Sequence, residues 1–260
     1  MLQKVIILLP AILVTFLLGS VQANIWSVNA DGSGDAPTIQ AAIDLASNGD
    51  TVLAADGLYT GEGNKNLNFN GKLILLKSEN GPAGCIIDCE NIGRGMIFEN
   101  GEDNNAIVDG FTIRNGNGGN IGGGLLIYSS PSIRNIVLYN NQATMVGGAI
   151  MSYGSPSISN CTIANNQAGG GAAIFAFAQN QQVLVDNCII TNNSGGGSAI
   201  SGDALENIVF SCCDIYGNPG GDYPYDMGDQ HPVAFIKNLS ISEDDKRKIL
   251  GGNIIRLLGI

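Results

Sequence analysis

Residues 147–166 read GGAIMSYGSPSISNCTIANN, and the pattern of this stretch returns about every 25 residues between Asp109 and Asn218. The repeat contains only short apolar alternations, which are typical of strands with one buried face, and no helical period fits it. One apolar position per repeat recurs at spacings of 25, 25, 27 and 25 residues, at Ile113, Leu138, Ile163, Ile190 and Ile215. The sequence therefore predicts a stack of short strands.

A repeat of this size cannot bury its apolar face alone, whereas stacked copies place equivalent residues above one another in a continuous core. Neighbouring strands would lie roughly 4.8 Å apart. Three further apolar columns have the same period: Phe111, Ile136, Cys161, Cys188 and Cys213; Leu125, Ile150, Ile174 and Ile200; Ile133, Ile158 and Val185. We expect these columns to form the core of an all-β solenoid.

Asparagines recur just after the first strand of each repeat, at Asn115, Asn140-Asn141, Asn165-Asn166, Asn192-Asn193 and Asn218; Asn140, Asn165 and Asn192 share one register in successive turns. Asparagine tolerates the left-handed conformation of a tight corner, and its amide can bond to the next asparagine in a stack. We expect an asparagine ladder through these three residues. The alternative, solvated loop asparagines, does not explain their shared register.

The motif I-x-N-N-x-A…G-G-A-I…S-P-x-I-x-N-C at residues 147–168 resembles the right-handed parallel β-helix repeats of the pectate-lyase-like superfamily, over residues 25–218. The resemblance implies a right-handed parallel β-helix with an N-terminal capping helix. A helix that starts at Pro37 and Thr38 fits, because Ile39, Ala42, Ile43 and Ala46 follow a helical period. The motif indicates the fold but not the activity.

The first 23 residues read as a secretory signal, with Lys4, an apolar run from Val5 to Leu18, and Ala23 at a small-residue cleavage site. We predict three segments: a signal peptide at 1–23, the β-helix at 24–218 and a helical tail at 219–260. We expect bacterial export to the periplasm, the cell surface or the medium, with no membrane span after cleavage. An uncleaved signal would instead be an anchor.

The formal net charge of −11 argues against nucleic acid or an acidic membrane surface as a partner. Tyr128, Tyr153 and Phe177 each follow a core position by three residues, which places them in one outward aromatic column. Sugars could stack on such a column. The alternative is that the rings pack on one another and stabilise the sheet. We expect a non-catalytic module that binds a polysaccharide or another cell-surface macromolecule.

A polysaccharide lyase is the alternative, and it would need a base and usually Ca²⁺ on a carboxylate cluster. The candidate charged residues share no register: Arg114, Arg134, Asp186, Asp203, Glu206 and Asp214. Pectin-hydrolysing members of the superfamily carry a paired-Asp motif and a Gly-His-Gly motif. The repeats contain no histidine and no Asp-Asp pair.

The tail, from Asp222-Tyr223-Pro224-Tyr225 through His231-Pro232 to Asn253, resembles the C-terminal end of metal-dependent amidohydrolases of the decarboxylase-like branch. That resemblance implies a metal-binding role for Asp222, with zinc as cofactor, and a third hypothesis of a hydrolase or decarboxylase. A barrel of that family needs about 250 residues, and no His-x-His motif lies upstream. The tail is therefore either a recruited cap for the C-terminal end of the coil or the trace of a fused or misjoined reading frame.

Six cysteines in an exported chain suggest disulfides. Cys161, Cys188 and Cys213 share a core column, where stacked Cβ atoms about 4.8 Å apart would exceed the roughly 3.5–4.5 Å of a disulfide. We expect these three to be buried thiols. The state of the other cysteines stays open.

Overall fold

The computed structural model describes residues 23–177, 182–203 and 205–222. In this part of the chain the backbone winds into a coil, and each full turn adds one strand to each of three parallel sheets. The predicted signal and helical tail lie outside the described residues, apart from Ala23 and residues 219–222.

The first sheet has eight strands: Ile25–Val28, Thr51–Ala54, Leu75–Ser78, Ile107–Asp109, Ser132–Arg134, Ser157–Ser159, Val183–Asp186 and Ile208–Ser211. The second has seven: Gly57–Tyr59, Cys85–Asp88, Thr112–Arg114, Val137–Tyr139, Thr162–Ala164, Ile189–Thr191 and Asp214–Tyr216. The third has six: Leu67–Asn68, Met96–Phe98, Leu125–Ile127, Ile150–Ser152, Ile174–Ala176 and Ile200–Gly202. A small fourth sheet pairs Gln167–Ala168 with Ser194–Gly195, and a 3₁₀ helix spans Leu205–Asn207.

The strand register is the one that the repeat predicts. Leu138 pairs with Ile113 on one side and Ile163 on the other, and the column continues to Ile190 and Ile215. All five side chains are at most 2% exposed. Burying such a side chain stabilises a fold by about 1.5–3 kcal/mol, so the stacked columns are the main source of cohesion between turns. The prediction of an all-β parallel solenoid is confirmed.

Left-handed backbone at two corners of the coil accounts for seven of the asparagines. The corner between the first and second sheets holds residues with φ between 49° and 91°: Gly110, Asn135, Asn160, Asn187 and Cys212. The corner after the second sheet has φ between 53° and 67°: Asn115, Asn140, Asn165, Asn192 and Gly217. Left-handed backbone costs most residues about 1–2 kcal/mol, but glycine and asparagine adopt it readily.

The predicted capping helix is present at Ile39–Leu45. The Thr38 hydroxyl accepts a hydrogen bond from the Ala41 N–H, which satisfies an otherwise free donor of the first helical turn. Ile39, Ala42 and Ile43 are buried within the core that runs through the coil. The helix therefore closes the N-terminal end of that core.

Hydrogen bonding of the coil continues past the boundary predicted at Asn218. The Gly221 carbonyl accepts from the Ala199 N–H at 2.7 Å, and the Asp222 carbonyl accepts from the Ile200 N–H at 3.3 Å. Residues 221 and 222 thus extend the third sheet beyond its last strand. None of the helices in the described part of the chain has the length and apolarity needed to cross a membrane.

Candidate functional site

A ladder of buried asparagines runs along the inside of the corner after the second sheet, through Asn141, Asn166, Asn193 and Asn218. The side-chain oxygens of Asn166, Asn193 and Asn218 each accept the backbone N–H of the asparagine one turn earlier, at 2.8–3.0 Å, and that of Asn141 accepts the Gly116 N–H at 2.8 Å. The side-chain amides also donate to one another and to core carbonyls; that of Asn166, for example, donates to the Leu138 carbonyl at 3.0 Å. The four side chains are at most 6% exposed.

This ladder lies one residue after the predicted one. Asn140, Asn165 and Asn192 occupy the left-handed corner itself, and it is the next residue whose side chain turns into the coil. Along the predicted column, Asn140 Nδ2 donates to Asn115 Oδ1. The prediction was therefore right about the residue type and the corner but wrong about the position of the continuous ladder.

Asp222 ends the ladder. Its Oδ1 accepts from Asn218 Nδ2 at 2.6 Å and from the Asn218 N–H at 3.3 Å, so it takes the acceptor role that the next asparagine would otherwise fill. The tail resemblance assigned Asp222 to a metal site. Among residues 23–177, 182–203 and 205–222, no three His, Cys, Asp or Glu side chains lie together in a group that could hold a metal ion.

An open groove of about 800 Å³ lies on the outer side of the same corner. We call it the amide groove, because its polar positions in successive turns are Asn117, Gln142, Gln167 and Ser194. Backbone pairing aligns Asn117 with Gln142, Gln142 with Gln167, and Gln167 with Ser194. With about 4.8 Å between turns, these four positions span roughly 14 Å along the coil.

The two glutamines of the groove are available to a ligand. Gln167 is exposed and Gln142 is half-buried, and neither side chain forms a hydrogen bond to another described residue. Among the residues that the structure describes, the Asn117 side chain bonds only to Gly119 in its own loop, whose N–H donates to Asn117 Oδ1 at 3.2 Å. Each amide therefore keeps free donors or acceptors at the surface.

Small residues form the base of the groove. Ala143, Ala168 and Ala172 make a separate buried cluster beneath it. Gly195 must be glycine, since a Cβ there would lie 1.5 Å from the Ala168 carbonyl oxygen. Packing this close keeps the base shallow, and a bound chain could reach the amides of several turns at once.

The predicted aromatic column lies at the corner that follows the strands of the third sheet, whereas the amide groove lies at the corner that precedes them. The rings of Tyr128 and Tyr153 are parallel within 4°, with centroids 4.8 Å apart, and Phe177 is tilted at 5.7 Å from Tyr153. Tyr128 and Phe177 remain 45% and 42% exposed. Because the rings of Tyr128 and Tyr153 stack on each other, the two ring faces in contact are not open to a sugar. The stacking of sugars on this column stays a prediction.

The two arginines considered for catalysis each form an ion pair with the residue below them in the stack. Arg114 Nε lies 2.8 Å from Asp88, and Arg134 Nε lies 3.0 Å from Asp109. Both pairs join equivalent positions of neighbouring turns. The Arg114 and Arg134 side chains therefore link neighbouring turns of the coil.

The glutamines of the groove and Arg94 were missed by sequence reasoning. The Arg94 guanidinium donates to the Gly118 and Ile121 carbonyls at 3.2 Å and thereby holds the loop that follows Asn117. Arg94 precedes the regular repeats, so periodicity did not show it. A signal for the glutamines was present, because Asn-Asn-Gln occurs in two successive repeats, at residues 140–142 and 165–167.

Comparison with known proteins gives one finding. A family model described as a right handed beta helix region matches residues 52–234, a range that contains the ladder, the aromatic column and the amide groove. No curated protein and no solved structure matches the chain.

Proposed function

The chain belongs to the right handed beta helix region family, and from this premise we propose that it is an exported, non-catalytic module that binds carbohydrate in the amide groove. The observation that carries the proposal is the row of amide side chains on successive turns, two of them without hydrogen bonds to other described residues. Export is supported by the signal pattern of residues 1–23.

Amide and hydroxyl groups suit a sugar because each offers both a donor and an acceptor, as a sugar hydroxyl does. Asn117, Gln142 and Gln167 supply amides, while Thr144 and Ser194 supply hydroxyls. A glycan chain lying parallel to the coil axis would meet one such group every ~4.8 Å. We therefore place the glycan along the coil rather than across it.

The charge of the site favours a neutral glycan. The residues that line the groove include no charged side chain, and the chain has a formal net charge of −11. Carboxylates and sulfates are normally bound by arginine or lysine donors, and the field of an acidic protein repels them. A neutral polysaccharide satisfies the groove without bridging cations.

The resemblance to the pectate-lyase-like superfamily supports a shared fold and not a shared reaction. A lyase would need a free base or cation beside its substrate. Arg114 and Arg134 instead pair with carboxylates of their own chain. Both candidate arginines are thus engaged within the fold, outside the amide groove, and this supports binding over catalysis.

The test is a glycan array with and without Ca²⁺, followed by titration calorimetry with the best neutral oligosaccharide. We expect the double variant Gln142→Ala/Gln167→Ala to lower affinity about tenfold or more, since two hydrogen bonds are worth about 1–3 kcal/mol together. Asn104→Ala removes an exposed amide outside the groove and should leave affinity unchanged. Unaltered affinity in the double variant would overturn the site, and Ca²⁺-dependent binding of acidic glycans would favour the lyase instead.

A further inference from the structure

A buried carboxylate holds the first strand of the coil in place. Asp50 is 2% exposed, and its Oδ1 accepts from the backbone N–H of Asn24 at 2.7 Å. Its Oδ2 accepts from Ser47 N–H at 2.9 Å and from Trp26 Nε1 at 3.1 Å. Three donors from two segments thus meet at one side chain, and none of the three carries a charge.

Buried carboxylates are normally paired with a cation, and Asp50 is not among the residues paired in the described part of the chain. The ion pairs there are Lys65–Glu90, Arg114–Asp88 and Arg134–Asp109. Asn24, the donor closest to Asp50, is exposed and directly follows Ala23, where the signal pattern ends. The nitrogen nearest the carboxylate is therefore the one that cleavage would turn into a chain terminus.

We propose that the Ala23–Asn24 bond is a processing site and that the α-ammonium released on Asn24 forms an ion pair with Asp50, which anchors the mature N-terminus. In the reaction, water is the co-reactant and a signal-cleaving protease the catalyst. The bond between the Ala23 carbonyl carbon and the Asn24 nitrogen breaks, Ala23 leaves with a carboxylate, and the Asn24 nitrogen becomes –NH₃⁺. The hydrogen bond to the ionised Asp50 carboxylate is kept, and its donor gains a positive charge, so that a hydrogen bond to one charged group becomes an ion pair.

Other charged groups near this end of the coil are already engaged. Asp31 and Asp35, in the loop after the first strand, accept from Ser33 and Ser27. Within the capping helix, the Asp44 carboxylate accepts from Gln40. Lys72, from the next turn of the coil, donates to the Ile43 and Asp44 carbonyls of that helix. Asp50 Oδ1 lies 2.7 Å from the Asn24 nitrogen and is therefore the carboxylate placed to pair with the new positive charge.

The pair has a defined dependence on pH. Hydrogen bonds from Ser47, Asn24 and Trp26 lower the pKa of Asp50 to about 2, so the carboxylate is ionised well below neutral pH. An α-amino group has an unfolded pKa of about 7.7–8.0, and a neighbouring carboxylate raises its folded pKa. The stabilisation is then fully present between pH ~4 and pH ~8, is lost as pH rises through the raised pKa of the amine, and is lost at the acid end as pH falls through the lowered pKa of Asp50.

The experiment compares the mature chain 24–260 carrying a free Asn24 amine with the same chain acetylated on that nitrogen. Acetylation keeps the N–H but removes the charge. We expect the folding equilibrium constant of the free-amine form to be about tenfold larger at pH 6, which corresponds to a rise of about one unit in the pKa of the amine on folding. The difference should vanish as pH rises above the raised pKa of the amine, because the free amine is then uncharged like the acetylated nitrogen. Equal stability of the two forms at pH 6 would overturn the ion pair.

Asp50→Asn in both forms should abolish the difference while keeping a hydrogen-bond acceptor. If that variant does not fold, NMR titration of the Asn24 amine in the unsubstituted chain gives an independent reading, and a pKa no higher than about 8 would contradict the pairing. N-terminal sequencing of exported protein tests the processing site itself. Asn24 as the first residue is expected, and any other first residue refutes it. None of these outcomes depends on glycan binding.

Discussion

The buried asparagine ladder and the amide groove use the same functional group at adjacent positions. Asn166 is fully buried and satisfied within the coil, whereas Gln167, the next residue, is exposed and forms no side-chain hydrogen bond to described residues. The left-handed corner at Asn165 sets which of the two turns inward. The comparison shows that the neighbourhood of an amide, and not its chemistry, decides whether it stabilises the fold or remains available for recognition.

The largest effect should come from breaking the ladder with Asn166→Ala. The change removes the acceptor of the Asn141 N–H and a donor to the Leu138 carbonyl. Each buried polar group left without a partner costs about 1–3 kcal/mol, so we expect the free energy of unfolding to fall by about 3 kcal/mol or more. Urea denaturation followed by circular dichroism measures it.

Asn104→Ala is the control for that experiment, because it removes an exposed amide and should change stability by less than about 0.5 kcal/mol. If Asn166→Ala were no more destabilising than this control, the ladder would not be a source of stability. The distinction between the two amide columns would then be lost.

The next effect concerns the end of the ladder. Asp222→Ala removes the acceptor of Asn218 Nδ2 and should cost about 1.5 kcal/mol, whereas Asp222→Asn retains an acceptor oxygen and should recover most of that loss. Thermal unfolding of both variants, with and without zinc, is the measurement. A zinc-dependent rise in melting temperature that both variants abolish would instead assign Asp222 to a metal site.

The columns, the capping helix and the corners could be predicted because every repeat carries the same residue at the same spacing. The ladder register could not, since periodicity does not say which of two successive asparagines adopts the left-handed conformation. The groove required knowing which amides stay unbonded. The contact between Asp50 and Asn24 joins residues outside any repeat, so no sequence pattern could have revealed it.

A smaller effect of opposite sign is expected at Cys212. This exposed residue has φ 52° in a corner column that otherwise holds glycine and asparagine. Cys212→Asn should stabilise the fold by about 1 kcal/mol, because asparagine adopts left-handed backbone more readily. Cys212→Ser removes the thiol but not the strain, so it should give no gain. Equal stability of the two variants in urea would show that the corner does not select asparagine.

The smallest effect on stability should come from a substitution in the amide groove. Gln167→Ala removes an amide that forms no hydrogen bond to the described part of the chain, so the free energy of unfolding should change by less than about 0.5 kcal/mol, measured by urea denaturation beside Asn166→Ala. The two substitutions delete the same functional group one residue apart, and only the buried one should matter for folding. A loss above 1 kcal/mol at Gln167 would mean that the groove amides hold the coil together and are not kept free for a ligand.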